Sequence, residues 1–82
     1  MAEKTLRMQY YAAFREAAGI REEELQTAAD TTAELYHEIA LRYRFSFDRS
    51  ILRVVVNDRI VPWTERVRDG DRVVFLTPFA GG

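Results

Sequence analysis

One amphipathic helix dominates the pattern of this 82-residue chain and limits the folds open to it. The segment TTAELYHEIALRYR, residues 31–44, carries one apolar stripe at helical spacing, from which only Leu41 departs. Thr31 and Glu34 have the spacing of a capping box, in which each side chain accepts a hydrogen bond from the other residue's backbone N–H. The stripe consists of Leu35, Tyr36, Ile39, Ala40 and Tyr43. A helix with a single apolar face must bury that face, so a sheet is expected to cover it.

The segments around this helix have the alternation or the β-branched content of strands. They are TLRMQYYA (residues 5–12), REEELQTAA (21–29), ILRVVVN (51–57), a short return that begins at Ile60, and RVVFLT (72–77). The second of them also suits a helix, because it contains three consecutive glutamates. A short helical turn, AFREAAG, is predicted to end at Gly19 as a C-terminal cap.

These elements predict one α+β domain over residues 1–82, in which a mixed sheet packs on one side of the main helix. The first and last strands are expected to be central neighbours, because both are long and apolar. Turns are predicted at Asp58 and Gly70. Asp69 and Asp71 are interpreted as turn formers and not as a metal pair, since no further ligand has a matching spacing.

Composition excludes several classes of function. A net charge of −1 argues against a nucleic-acid partner, and no apolar run approaches the length of a membrane span, so a cytoplasmic location is expected. The absence of cysteine excludes disulfides, thiolate nucleophiles and cysteine metal sites, and His37 has no second histidine with which to bind a metal. Eleven of the twelve basic residues are arginine, so Lys4 leaves few amines on which the chain could be conjugated to itself.

The predicted sheet has a surplus of apolar residues. If Leu6 and Phe75 face the helix, alternation places Tyr11, Val74 and Leu76 on the other face, with Ile60 at its edge. Single exposed apolar residues are normal in soluble proteins, whereas a contiguous patch indicates a partner. Tyr11, Ile60 and Leu76 are therefore candidate partner-binding residues, and ordinary exposure remains the alternative.

The last strand leads into TPFAGG, residues 77–82. Glycine adds no Cβ, so Gly81 and Gly82 suit a thin, flexible tail that enters a narrow channel, and Pro78 stiffens its base. A terminal carboxylate is a poor acyl electrophile until a partner enzyme adenylates it with ATP. Attack by an amine would then give a conjugated protein, and attack by a sulfur donor would give a thiocarboxylate.

Three stretches carry a family resemblance: YYAAFREAAG, RVVVND and VRDGDRVVFLTPFAGG. The chain resembles the MoaD/ThiS group of ubiquitin-like β-grasp sulfur carriers, and within it the small subunits of molybdopterin synthase. Two positions depart from the pattern of that family. Thr77 stands where a proline is frequent, and Phe79 stands where a smaller aliphatic residue is frequent.

The resemblance implies a β-grasp fold and a role in molybdenum cofactor biosynthesis. An ATP-dependent adenylating enzyme would activate Gly82, and a sulfur donor system would convert it to a thiocarboxylate. Gly81 would provide clearance, and Pro78 and Phe79 would contact partners. The carrier, itself non-catalytic and without a bound cofactor, would form a heterotetramer with the large synthase subunit. A carrier for the thiamine thiazole, a ubiquitin-like modifier and a passive binding module remain alternatives.

Overall fold

The structure is a computed structural model that describes residues 3–77. Its elements are β1 (Lys4–Gln9), α1 (Ala12–Ala18), β2 (Glu22–Thr27), α2 (Thr32–Tyr43), β3 (Arg53–Val56), β4 (Arg59–Val61) and β5 (Arg72–Leu76). The strands form one mixed sheet in the order β2-β1-β5-β3-β4. β1 and β5 are parallel, and the other pairs are antiparallel. The α+β class and the central pairing of the first and last strands are thus confirmed.

β2 is a strand and not a helix. Along this segment Glu24 and Gln26 are exposed and alternate with buried Leu25 and Thr27, which is the period-2 pattern of a half-buried strand. Leu25 lies opposite Leu6 of β1, so the pairing places apolar side chains against each other on the helix-facing side.

The main helix begins and ends close to its predicted bounds. The Thr31 hydroxyl accepts a hydrogen bond from the Glu34 N–H at 3.3 Å, as the capping box requires. The reciprocal bond differs from the prediction, because the Glu34 carboxylate accepts from the N–H of Asp30 at 2.9 Å and not from that of Thr31. Leu41 lies on the exposed side, as its position off the stripe predicts.

An aromatic cluster fills the core between the sheet and the helices. Phe14 of α1 lies with its ring centroid 4.8 Å from that of Phe45 and 6.2 Å from that of Phe75. Trp63 stacks on Phe75 at 6.0 Å and packs against Tyr36. These rings join α1, α2 and β5, so the position of the last strand depends on the whole core.

The predicted turns have the geometry that their residues favour. Asn57 and Asp58 both have positive φ, 51° and 69°, as a type I′ hairpin between β3 and β4 requires. The Asp69 carboxylate accepts from the Thr5 N–H at 2.8 Å, and the Asp71 carboxylate accepts from the Arg68 N–H at 2.8 Å. The Asp71 carboxylate therefore stabilises the turn around Gly70, and the Asp69 carboxylate joins that turn to β1. None of the helices in residues 3–77 has the length and apolar character needed to cross a membrane.

Candidate functional site

The two faces of the sheet differ in burial. Leu6, Met8, Val73 and Phe75 point toward the helices and are buried, whereas alternate residues of the same strands are partly exposed. Strand register then decides which residues share the second face. Ile60 lies opposite Val55, and Val55 lies opposite Val74. One row of apolar side chains therefore crosses β4, β3 and β5 on the exposed side.

Tyr11 and Leu76 extend this row toward the end of β5. The parallel register pairs Gln9 with Val74, so two residues further along each strand Tyr11 and Leu76 stand at the same level. Tyr11 has extended backbone angles, φ −128° and ψ 155°, which continue the alternation of β1 past its last residue. We call Tyr11, Val55, Ile60, Val74 and Leu76 the open-face patch.

Burial of Tyr10 keeps Tyr11 turned outward. The Tyr10 side chain is 1% exposed, and its hydroxyl donates a hydrogen bond to the Glu23 carboxylate at 2.6 Å. The Tyr43 hydroxyl donates to the same carboxylate oxygen at 2.8 Å. Burial, followed by these contacts with Glu23, raises the pKa of Tyr10 far above its usual range. The hydroxyl therefore stays neutral and serves as an anchor between β1, β2 and α2.

The structure places all three predicted docking residues in the part of the molecule that alternation indicated. Tyr11 is 50% exposed and Ile60 is 69% exposed, whereas Leu76 is less exposed than either and is half-buried. Their binding of a partner stays a prediction. Sequence reasoning missed Val55, although alternation along β3 places it on the face opposite to that of buried Val54 and Val56.

Charged residues of both signs border the open-face patch. Arg7 lies 4.0 Å from the carboxylate of Glu22 and 3.6 Å from that of Glu24, and Arg72 lies 2.8 Å from that of Asp58. These pairs are exposed, so they add little to stability and keep the border polar. A surface with an apolar centre and a mixed polar rim has the composition of a protein-docking site.

A hollow lies where the described chain ends. Ser50, Ile51, Arg53 and Thr77 line a space of ≈ 460 Å³, and Arg53 is in register with Leu76 of the patch. Thr77 directly follows β5, so the chain leaves the sheet beside Leu76 and the patch. The remaining predicted site residues, Pro78, Phe79, Gly81 and Gly82, lie outside the described residues.

Side chains that bind metals are scattered in the described part of the chain. Residues 3–77 contain no group of three His, Asp or Glu side chains arranged to hold a metal ion. His37 lies exposed on α2, where it has the character of a polar helix residue. Within residues 3–77 the candidate site is therefore the open-face patch, which lies at the end of the sheet where β5 finishes.

Comparison with known proteins identifies relatives of this arrangement. The sequence model of the ThiS family matches residues 8–82, which include Gly81 and Gly82. No curated protein matches the chain. Among solved structures, a Pyrococcus furiosus protein, provisionally assigned as molybdopterin converting factor subunit 1, is 29% identical with a TM-score of 0.76, covering 92% of this chain and 98% of its own.

Two more distant structures share the fold. The small archaeal modifier protein 1 of Methanosarcina acetivorans is 18% identical, with a TM-score of 0.75 and full coverage of both chains. The ubiquitin of Caldiarchaeum subterraneum is 20% identical, with a TM-score of 0.65 over 99% of this chain and 100% of its own. The five-stranded sheet with its two helices is therefore a ubiquitin-like β-grasp fold.

Proposed function

Because this chain belongs to the ThiS family, we propose that it is a sulfur carrier that bears a thiocarboxylate on Gly82. The observation that carries the proposal is the extent of the family match, which runs from β1 through both terminal glycines. The open-face patch supports it, because the chain leaves β5 directly beside that patch. A partner bound to the patch would therefore lie next to Thr77, from which residues 78–82 continue.

The proposed chemistry begins with activation of the Gly82 carboxylate. An ATP-dependent adenylating enzyme would join the carboxylate oxygen to the α-phosphorus of ATP and release pyrophosphate. A sulfide equivalent from the donor system would then attack the acyl carbon. The bond from carbon to the AMP oxygen breaks, a carbon–sulfur bond forms, and AMP leaves with the electron pair. The sequence has no cysteine that could intercept the acyl group.

The reach of the C-terminal residues suits such a partner. Residues 78–82 number five and span at most about 16–18 Å when extended. That length is enough for Gly82 to enter an active site in a partner whose surface rests on the open-face patch. The two glycines allow a channel too narrow for a Cβ atom. ATP and the catalytic groups would belong to the partner and not to this chain.

We further propose that the acceptor is the cyclic pterin precursor of molybdopterin. The support is the similarity at 29% identity to the Pyrococcus furiosus protein, which covers nearly all of both chains. In this proposal the chain is the small subunit of molybdopterin synthase. It docks on the large subunit in a heterotetramer, donates its sulfur, and returns with a Gly82 carboxylate. The protein would thus act in the synthesis of the molybdenum cofactor in the cytoplasm.

Intact mass spectrometry tests the proposal. The protein is purified from its own host and compared with a variant that lacks Gly82. A fraction of chains heavier by the difference between sulfur and oxygen, absent from the truncated variant, would support the thiocarboxylate. If all chains carry a carboxylate, the protein is incubated with its adenylating enzyme, ATP and a sulfur donor. Failure to gain sulfur under those conditions would contradict the proposal.

A second measurement identifies the acceptor. The sulfur-loaded protein is mixed either with a large synthase subunit and the pterin precursor or with a thiazole synthase system. Loss of the added mass only in the first mixture would support the molybdopterin assignment, and loss only in the second would replace it with the thiamine pathway. Isopeptide adducts on other proteins would show a ubiquitin-like modifier instead.

A further inference from the structure

Lys4 is the single lysine of the sequence, beside eleven arginines. Side chains alternate along β1, and Lys4 lies two and four residues before the buried Leu6 and Met8, so its side chain leaves the strand on the same, helix-facing side. Its Nζ donates a hydrogen bond to the Ala29 carbonyl at 2.7 Å and lies 3.5 Å from the Asp30 carboxylate. Only 20% of the side chain is exposed.

These contacts oppose the chemistry that an acyl acceptor needs. Attack on an activated acyl group requires a deprotonated amine with its lone pair free to approach the carbonyl carbon. At Lys4 the nitrogen donates a hydrogen bond to a backbone carbonyl and stands beside a carboxylate, so both partners occupy the space through which an acyl carbon would have to approach. Reaction therefore requires the side chain to leave both partners first.

Strand topology also keeps Lys4 away from Gly82 of the same chain. β1 and β5 are parallel, with Arg7 level with Arg72, so Lys4 lies near one end of the sheet and Thr77 near the other. The offset is eight residues of strand, or about 26 Å. Residues 78–82 span at most about 16–18 Å. An acyl group on Gly82 thus falls short of Lys4 within one molecule.

We propose that this chain is an acyl donor that is protected from acting as its own lysine acceptor. Its activated Gly82 reacts with the sulfur donor of the proposed function, and lysine-linked chains of this protein on itself do not form. The inference rests on the proposed function for its biological meaning. The low reactivity of Lys4 rests on the contacts with Ala29 and Asp30 alone.

The side reaction that is suppressed can be written in full. The Nζ lone pair of an acceptor lysine attacks the carbonyl carbon of the Gly82 adenylate. A carbon–nitrogen bond forms, the carbon–oxygen bond to AMP breaks, and the amine proton goes to solvent. An arginine does not take the place of the lysine, because its guanidinium stays protonated at neutral pH. The arginine-rich sequence therefore offers this reaction no side-chain amine besides Lys4.

The first test measures amine reactivity without any enzyme. The wild-type protein and the variant Arg21→Lys, which adds an exposed amine near the end of the sheet where β5 finishes, are treated with an N-hydroxysuccinimide acetate reagent. Peptide mass spectrometry gives the rate at each position. We expect the amine introduced at position 21 to react about tenfold or more faster than Lys4. Equal rates would overturn the inference.

The second test uses the adenylating enzyme of the host with ATP and no sulfur donor. Hydroxylamine, added to one sample, reports activation as a hydroxamate on Gly82. We expect no branched peptide at Lys4 in the wild-type protein and a branched peptide at position 21 in Arg21→Lys. Adducts on Lys4 would overturn the inference, as would a hydroxamate without any adduct at position 21. Absence of the hydroxamate would instead contradict the proposed function, and the acetylation rates would still decide the reactivity of Lys4.

Discussion

Replacement of Glu23 by alanine is expected to destabilise the fold although Glu23 is one of three consecutive glutamates. Its carboxylate oxygen accepts hydrogen bonds from the Tyr10 hydroxyl at 2.6 Å and the Tyr43 hydroxyl at 2.8 Å. Glu23 lies opposite Met8 in the β1–β2 register, so its side chain points to the helix-facing side. The neighbouring Glu24 points to the other side, where it contacts exposed Arg7.

The size of the effect follows from the burial of the two tyrosines. Tyr10 is 1% exposed, so a hydroxyl that loses Glu23 has little access to water, and the lost charge-assisted bond costs about 1.5–3 kcal/mol. Tyr43 is more accessible and recovers water, so it adds little. Glu23→Ala should therefore lower the free energy of unfolding by about 2–3 kcal/mol. Since the free energy of unfolding of a domain of this size is about 4–12 kcal/mol, this loss is a large fraction of it.

Urea unfolding followed by circular dichroism measures this prediction, and a thermal scan should show a Tm lower by about 10–20 °C. Glu24→Ala is the matched control and should change the free energy of unfolding by less than about 0.5 kcal/mol, because its ion pair is exposed. In a Tyr10→Phe background, the effect of Glu23→Ala should shrink to that of the Tyr43 bond. Equal losses for Glu23→Ala and Glu24→Ala would refute the reasoning.

Three further changes test the patch, the buried hydroxyl and the hairpin. Ile60→Glu should change the free energy of unfolding by less than about 0.5 kcal/mol, yet weaken binding to the large synthase subunit by at least about tenfold in calorimetry. Leu41→Glu is the control, because Leu41 is equally exposed but lies off the patch, and it should leave binding unchanged. The pKa of Tyr10 is raised above the 10.0 of an exposed tyrosine, so the folded protein retains a proton that the unfolded chain loses above about pH 10. The free energy of unfolding should therefore be unaffected below about pH 10 and fall as the pH rises further, and the fall should be smaller in Tyr10→Phe. Asp58→Val should cost about 1–2 kcal/mol in urea unfolding and Asp58→Gly should be neutral or stabilising, because φ at this position is 69°.

Local patterns were sufficient to predict most of the elements. The apolar stripe of α2 and the turn at Gly70 depend on residues close in sequence, and the structure confirms both. The faces of β1 and β5 followed from alternation, because side chains in a strand point to opposite sides whatever the partner strand is. This is why Tyr11 and Leu76 could be placed on the open face before their pairing was known.

The parts that were missed depend on contacts between distant residues. The identity of β2 was ambiguous because Glu23 is stabilised by two tyrosine hydroxyls, 13 and 20 residues away, that no local pattern reveals. Val55 joined the patch only when the register with Ile60 and Val74 was known. A short 3₁₀ turn at Arg49–Ile51 also went unpredicted, although the Asp48 carboxylate caps it by accepting from the Ser50 N–H at 2.8 Å.

The parallel pairing of β1 with β5 accounts for both proposals. Parallel neighbours finish at the same end of a sheet, so Tyr11 after β1 and Leu76 at the end of β5 lie together where the chain departs toward Gly82. The same pairing sends the start of β1, with Lys4, to the opposite end. If the first and last strands were antiparallel, Lys4 would lie beside that departure point, within reach of residues 78–82. One choice of strand direction thus places the open-face patch at the end of the sheet where β5 finishes and Lys4, the only lysine of the sequence, at the opposite end.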